Sequence, residues 1–317
     1  MNKFTVKLII ITFLITLLLA GFEVLSYDDD YSMPIARMTY SDTYLTHMDG
    51  PDWIVPLIDR VQERDESHIL LLGDSVGRQM FIDLGDINDE VCVAPAIAPF
   101  SMAGQYVLTR LYLDNHPDAT DVYLVMVPMD DVSKNFNIEY AYQYVVMPLV
   151  ETDKLELLDK STVDELKYIF GERFMERPVV ERIDNSGLNR KLYLNYIKSH
   201  GRNDYPHTLE ESVYVSYLKK IADLCSERNV VFRFLPAPIP DMDAYHMTVN
   251  ELAPVYFKDT GLDKLFPDYL DHVKYYPEEM FSDGVHFGGP YEDQSVYNGI
   301  ISEMYGYSGL TDVLKLE

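Results

Sequence analysis

The chain has 317 residues, a 47% apolar fraction and a formal net charge of −26. This length allows one large domain or two small ones, and the apolar content is sufficient for a sizeable core. Acidic residues spread along the whole chain argue against nucleic acid and anionic lipid as partners. Solubility explains this acidity, with a preference for neutral or cationic substrates as the alternative.

An apolar segment near the N-terminus predicts a membrane anchor. Residues 8–22 are apolar, two lysines precede them and acidic residues follow. The positive end should stay in the cytoplasm, which places the rest of the chain outside. This apolar core is short for a span, but residues 4–25 reach across if Lys7 snorkels. We therefore predict an uncleaved single-pass anchor over residues 1–26, with a cleaved signal peptide and a secreted protein as the alternative.

Between the anchor and the first strand, residues 27–64 are predicted to form an irregular stem that ends in a helix at about 53–63. Beyond them, short apolar segments alternate with helical patterns. The predicted strands are 68–72, 91–94, 121–127 and 230–235, and the predicted helices 78–84, 104–114, 209–228 and 292–305. Residues 65–317 thus read as an α/β domain in which helices cover both faces of a parallel sheet.

Residues 133–206 do not follow this alternation. They carry helical patterns at about 163–173 and 188–199, separated by charged residues. We interpret them as a helical insertion. It forms either a cap or rim near the carboxyl ends of the strands or a packing subdomain with no catalytic role.

The segment 69–80 predicts a buried strand, a tight turn and the start of a helix. Gly73 breaks the apolar run, and Asp74 or Ser75 can cap the helix by accepting a free N–H of its first turn. Ser75 then follows the carboxyl end of a strand, where ligands bind in open α/β sheets. The helix N-terminus also favours a developing oxyanion. By itself, Gly-Asp-Ser equally fits an ordinary strand–helix turn.

Near the C-terminus, Asp283 and His286 form an Asp-x-x-His pair flanked by aromatic residues and glycines. A serine nucleophile needs a base, and the imidazole needs a carboxylate that fixes its tautomer and stabilises its charged form. The pair alone fits a surface turn. Together with Ser75 at the other end of one α/β pattern, it predicts a catalytic triad of Ser75, His286 and Asp283.

These two blocks resemble those of the SGNH (GDSL-like) hydrolase superfamily, whose nucleophile follows Gly-Asp and whose last block is Asp-x-x-His. Two branches are most similar. One is the membrane-anchored extracytoplasmic group that includes D-alanyl-lipoteichoic-acid assembly proteins and bacterial exopolysaccharide acetyltransferases. The other, the trichome-birefringence-like polysaccharide acetyltransferases of plants, has a Gly-Asp-Ser-x-x-Arg-x-Gln-like block that residues 73–79 echo. The resemblance covers residues 65–305 and implies a three-layer, flavodoxin-like parallel sheet.

The resemblance also implies an oxyanion hole. Its donors would be the Ser75 N–H and a glycine after the second strand, for which Gly104 is the candidate; an ordinary helix start explains Gly104 equally well. The family's asparagine after the third strand is replaced by aspartates at 130–131, which cannot donate when ionised. Asn135 or Arg78 would have to substitute. Arg78, like Asp74, is assigned a supporting role.

The residues alone predict serine-dependent acyl transfer, and the resemblance implies O-acyl, most simply acetyl, transfer to a cell-surface or secreted polysaccharide. The departure at 130–131 favours a transferase, because trichome-birefringence-like enzymes also depart there. A polysaccharide O-acetyl esterase is one alternative, and a non-catalytic glycan-binding or export-complex scaffold protein is the other.

The expected partners are a polysaccharide acceptor and a multi-span membrane protein that supplies the acyl donor, because a single span offers no path for an acyl group. No metal or cofactor is predicted, since the other histidines lack ligand-like spacing and no phosphate loop is present.

Overall fold

The computed structural model describes residues 3–25, 50–84, 88–97, 100–129, 136, 141–170 and 212–315. Its centre is a four-stranded parallel sheet in the order β2-β1-β3-β4. The strands are β1 (Ile69–Gly73), β2 (Val91–Val93), β3 (Asp121–Met126) and β4 (Val231–Pro236). All four predicted strands are confirmed, with each boundary within one residue of its prediction.

Helices cover both faces of this sheet, and the N-terminal helix lies apart from it. In chain order they are α1 (Lys3–Leu25), α2 (Gly50–Gln62), α3 (Ser75–Phe81), α4 (Ser101–Asn115), α5 (Met147–Glu151), α6 (Lys160–Phe170), α7 (Val213–Glu227), α8 (Asp243–Met247), α9 (Ala253–Thr260), α10 (Leu262–Leu265), α11 (Gln294–Tyr305) and α12 (Leu310–Val313). A short parallel ribbon joins β5 (Ile239–Pro240) to β6 (Tyr275–Tyr276). Single π-helical turns cover Tyr142–Val146 and Thr248–Leu252.

The sheet carries a hydrophobic core on each face. Leu70 and Leu72 of β1 belong to the core shared with α2, α4 and α7, whereas Ile69 and Leu71 belong to the core shared with α3, α11 and α12. Every residue of β1 is buried. A central strand covered on both faces needs apolar side chains at every position, which explains the unbroken apolar run in the sequence.

Two predicted boundaries need correction. Helix α4 begins at Ser101 rather than at 104, so Ser101 and Met102 are helical residues and not part of a loop. Helix α2 buries Ile54, Ile58 and Val61 in the core shared with α4. Because it packs as a core element, we describe α2 with the α/β domain rather than with the stem.

The described part of the predicted insertion, residues 141–170, contributes Tyr142, Leu149 and Leu166 to the same core. Its helix α6 spans Lys160–Phe170, close to the predicted 163–173. The second predicted helix, at 188–199, lies outside the described residues. The described segment therefore packs as part of the domain.

Among the described residues, α1 is the one helix long and apolar enough to cross a membrane, judged by length and composition. Its segment Phe4–Gly21 has a mean hydropathy of 2.3, and none of its residues is buried.

Replacing Gly73 by alanine should destabilise the domain, because the added Cβ would lie 2.9 Å from the Val125 carbonyl oxygen and 3.1 Å from the Gly77 Cα. Both neighbours are backbone atoms, so relief requires a shift of β3 or α3. We expect Gly73→Ala to lower the free energy of unfolding by about 1–3 kcal/mol. Thermal unfolding of the full chain in detergent measures this change.

The matched control is Gly299→Ala, because Gly299 lies in the exposed interior of α11 with nothing within 4 Å of an added Cβ. There alanine should stabilise the protein by about 0.5–1 kcal/mol through its better helix propensity. An unchanged melting temperature in Gly73→Ala would contradict the packing argument.

Candidate active site

Ser75 lies at the turn between β1 and α3, as its first helical residue. In the order β2-β1-β3-β4, the chain runs from β1 to β2 and then crosses back to β3 on the other side of β1. The carboxyl end of β1 is therefore a topological switch point, where parallel α/β sheets form a ligand-binding crevice. The fold places Ser75 at this crevice.

Asp74 is the N-cap of α3. Its Oδ1 accepts the N–H groups of Val76 at 3.0 Å and Gly77 at 3.1 Å. Of the two residues predicted as caps, the structure selects Asp74. This choice leaves the Ser75 side chain available for another partner.

The same carboxylate ties the turn to the neighbouring strand. Asp74 Oδ2 accepts the N–H of Val127 at 2.6 Å, and the Asp74 N–H donates to the Val125 carbonyl at 3.2 Å. Asp74 is fully buried. Hydrogen bonds to an ionised acceptor are strong when water is excluded, so Asp74 fixes the nucleophile turn from below.

The three predicted catalytic side chains meet in one hydrogen-bonded chain. His286 Nε2 lies 2.7 Å from Ser75 Oγ, and His286 Nδ1 lies 2.8 Å from Asp283 Oδ2. A carboxylate only accepts, so we assign the Nδ1 proton to the bond with Asp283. Nε2 is then the acceptor for the Ser75 hydroxyl proton, as a general base requires.

Asp283 shapes the loop that carries His286. Its Oδ1 accepts the N–H groups of Val285 at 3.2 Å and His286 at 2.9 Å. Gly284 completes the turn with a φ of 89°, a conformation that favours glycine. The three-residue spacing thus lets one carboxylate bind both the backbone and the ring of His286.

Partial burial acts to raise the pKa of Asp283, but hydrogen bonds from the His286 N–H, the His286 ring and the Val285 N–H outweigh it and lower the pKa. The carboxylate therefore remains ionised beside the imidazole. The site is open, since 31% of the His286 side chain and 57% of the Asp283 side chain are exposed. A large substrate has direct access to this side of the triad.

One predicted oxyanion donor is well placed. Asp74 caps the N–H groups of Val76 and Gly77 rather than that of Ser75, whose N–H has no partner among the described residues. It lies in the first turn of α3, where the helix dipole favours negative charge. The Ser75 N–H is therefore available to a developing oxyanion.

Gly104, the other predicted oxyanion donor, lies inside helix α4 and packs against Phe100. Gly104 is the fourth residue of α4. In an α-helix, the N–H of the fourth residue is the first that can donate to a carbonyl of the same helix. A Cβ at Gly104 would lie 2.6 Å from the Phe100 ring, so packing explains the glycine. The role of Gly104 in the oxyanion hole stays a prediction. Asn135 and residues 130–131 lie outside the described residues, and their role stays a prediction.

Arg78, predicted as a supporting residue, lies on α3 and is half-buried. Its guanidinium lies 5.0 Å from the centroid of the Trp53 ring, a cation–π contact, and burial lowers the pKa of Arg78. This contact joins α3 to α2. It gives Arg78 a structural partner, and the substitution of Arg78 for the missing oxyanion donor stays a prediction.

A cleft of about 670 Å³ opens beside Asp283. It is lined by Met242, Phe281 and the acidic side chains Glu278, Glu279 and Asp283. Its negative lining favours neutral or cationic ligands over anions. Within the described parts of the chain, no group of three or more His, Cys, Asp or Glu side chains is arranged to hold a metal ion.

No family model matches this chain, and no curated protein or solved structure is significantly similar to it. The interpretation of the site therefore depends on its own geometry.

Sequence reasoning gave no role to Gln79, although the residue belongs to the same block as Ser75. Its side-chain amide bonds to the backbone of Phe287, the residue after His286. The helical period was the available signal, because residues four apart on a helix share a face. Gln79 was thus predictable as a neighbour of Ser75, but its partner was not.

Replacing Asp74 by asparagine should weaken both the fold and the site. The amide has one acceptor oxygen, so its NH₂ group must face the N–H of Val127 or those of Val76 and Gly77. A buried donor left unpaired costs about 1–3 kcal/mol. We expect a lower melting temperature for Asp74→Asn in thermal unfolding of the full chain.

Asp293→Asn is the control, because Asp293 caps α11 by accepting the Ser295 N–H at 2.9 Å but is exposed. Asparagine is as good an N-cap as aspartate, so the control should change stability by less than about 0.5 kcal/mol. Equal effects at both positions would show that burial of Asp74 has no special importance.

Proposed function

We propose that this chain is an SGNH-type serine O-acyltransferase with a three-layer α/β domain, and that it transfers an acyl group, most simply acetyl, to a polysaccharide hydroxyl. The observation that carries this proposal is the hydrogen-bonded chain from Ser75 through His286 to Asp283 at the switch point of the sheet. This arrangement has the parts that nucleophilic acyl transfer needs.

In the first half-reaction, Ser75 Oγ attacks the ester carbonyl while His286 Nε2 takes the hydroxyl proton. The oxyanion of the tetrahedral intermediate is stabilised by the Ser75 N–H and the positive end of α3. When the intermediate collapses, the bond to the leaving alcohol breaks and His286 returns the proton to that alcohol. Ser75 then carries the acyl group.

In the second half-reaction, the hydroxyl of an acceptor sugar replaces the leaving alcohol. His286 takes its proton as the oxygen attacks the acyl-enzyme, and it then returns the proton to Ser75 Oγ. Throughout, Asp283 holds the imidazole in the required tautomer and stabilises its charged form. The open side of the triad supports a large acceptor such as a polysaccharide.

The placement of the reaction belongs to the same proposal. If α1 spans the membrane with its lysines in the cytoplasm, the α/β domain lies outside the cell membrane, next to envelope or secreted polysaccharides. The acyl donor would then come from a multi-span membrane partner. The resemblance to the anchored branch of the SGNH superfamily supports this arrangement.

One observation favours an esterase as the second candidate. More than half of the Asp283 side chain is exposed, so water can reach the acyl-enzyme. The non-catalytic scaffold alternative predicts that Ser75, Asp283 and His286 lie apart. The contacts of 2.7 and 2.8 Å argue against it.

Removing the nucleophile tests the proposal. Full-length protein in detergent is incubated with a chromogenic acetyl ester, with and without an oligosaccharide acceptor. Ser75→Ala should lower turnover by about 10⁶-fold and abolish covalent labelling by a fluorophosphonate. The control is Ser226→Ala on an exposed position of α7, which should behave as the native protein.

Turnover that rises with the acceptor and yields acetylated sugar, detected by mass spectrometry, supports a transferase. Turnover that does not depend on the acceptor, with acetate as the only product, supports the esterase. Activity that persists in Ser75→Ala would contradict both.

Replacing Asp283 by asparagine tests the role of the carboxylate. The amide favours the wrong imidazole tautomer, and kcat should fall by about 10⁴-fold while the fold is retained. Because the folded-state pKa of Asp283 is lowered, its carboxylate form persists as pH falls below the range of an ordinary aspartate. Its contribution to stability and activity should therefore be present above its unfolded-state pKa and disappear only as pH falls through the lower folded value.

Full pH profiles of kcat and of the melting temperature measure this dependence, with the exposed Asp271→Asn as control. Retention of native kcat in Asp283→Asn would remove Asp283 from the proposed triad.

A further inference from the structure

The amide of Gln79 joins the helix of the nucleophile to the loop of the base. Gln79 Nε2 donates to the Phe287 carbonyl at 3.2 Å, and Gln79 Oε1 accepts the Phe287 N–H at 3.1 Å. Ser75 and Gln79 lie four residues apart on α3, on one face of the helix. Phe287 follows His286 directly. The same face of α3 thus contacts two consecutive residues of the loop.

The loop determines its own internal shape. Ser282 N–H donates to the His286 carbonyl at 2.7 Å, and Gly288 N–H donates to the Met280 carbonyl at 3.0 Å. Together with the Asp283 bonds, these contacts set the position of His286 relative to Asp283. They do not set the position of the loop relative to α3.

Hydrogen bonds between α3 and this loop come from two residues of the helix within the described part of the chain. Ser75 makes the bond to His286, and Gln79 makes the two bonds to the backbone of Phe287. The Ser75–His286 bond must break and re-form during acyl transfer. The Gln79 pair is therefore the hydrogen-bonded connection that can persist through the reaction.

Apolar packing also holds the loop, because the Phe287 ring is fully buried and lies 5.4 Å from the Tyr297 ring. Such packing is non-directional and tolerates small rotations of the backbone. A two-bond amide contact instead fixes the orientation of the Phe287 backbone, and with it the direction in which the preceding His286 side chain projects. Packing retains the loop, whereas Gln79 aligns it.

We infer that Gln79 is a positioning residue that holds His286 Nε2 in register with Ser75 Oγ, a role that assumes the proposed triad chemistry. Reaction geometry is sensitive to displacements of about 1 Å, which can cost about 100-fold in rate. Loss of the two amide bonds should therefore impair proton transfer without unfolding the domain.

The test is Gln79→Met, which keeps the length of the side chain and its helix propensity but removes both hydrogen bonds. The matched control is Gln294→Met, because Gln294 contacts the same helix through the Met80 carbonyl at 3.4 Å and, within the described part of the chain, forms no hydrogen bond with the loop of His286. The readout is the rate of Ser75 labelling by a fluorophosphonate, measured against pH on full-length protein in detergent.

In the native protein the labelling rate should reach a plateau at high pH, because His286 acts as the base. In Gln79→Met the rate at neutral pH should fall about 100-fold, and it should rise about tenfold per pH unit as hydroxide replaces the misplaced imidazole. Gln294→Met should keep the native rate and plateau. A loss of folded protein would lower the amount labelled without changing the shape of the profile.

Gln79→Glu provides a second variant if Gln79→Met does not fold. Its carboxylate still accepts the Phe287 N–H but repels the Phe287 carbonyl, so we expect a rate between those of the native protein and Gln79→Met. A native rate and plateau in the folded Gln79 variants would overturn this inference alone, as would an equal change in Gln294→Met. Native protein that is not labelled at Ser75 would overturn the proposed function as well.

Discussion

The buried carboxylate of Asp74 is the constraint on which the site depends. It accepts one N–H from Val127, the residue after β3, and two from the first turn of α3, and it lies where water cannot replace them. A carboxyl group without such partners would be costly to bury, so these hydrogen bonds hold the strand, the turn and the helix together. The close approach also excludes a side chain at Gly73, directly before Asp74. Ser75 owes its place at the strand end to this packing.

The triad combines one local and one long-range contact, and the two have different origins. Asp283 and His286 lie three residues apart, and a turn closed by Asp283 is enough to join them. Ser75 and His286 lie 211 residues apart, so their contact requires the whole sheet and the helices that cover it. The local pair can be recognised in the sequence as an Asp-x-x-His motif. The long-range contact depends on how α3, α11 and the loop that carries His286 pack into one core. Phe287 of that loop is buried in this core.

The same distinction explains which features were predictable. The strands were predictable, because side chains on both faces of the sheet must be apolar, as Leu70 on one face and Leu71 on the other show. The start of α4 was not, because Ser101 adopts a φ of 63° without a glycine to signal it. Helix α2 was predicted at about 53–63, although Pro56 lies inside it, where proline ordinarily breaks a helix. Gly104 resembled an oxyanion donor in the sequence, and only the position of the Phe100 ring supplies a packing reason for the glycine. Side-chain partners that lie far apart in the chain leave no periodic signal.

The exposure of Asp283, which makes an esterase the second candidate, does not exclude transfer. Water reaches Asp283 from one side, but water attacks an acyl-enzyme without any help from binding. A sugar hydroxyl held next to His286 gains from orientation, and well-oriented groups reach effective concentrations of about 10⁵ M or more, far above that of liquid water. The acidic cleft beside Asp283 offers a surface on which a neutral sugar chain can be held without charge repulsion. Under the proposed acyl-transfer chemistry, the balance between hydrolysis and transfer in such an open site therefore depends on how firmly the acceptor is held, and not on how well the triad excludes water.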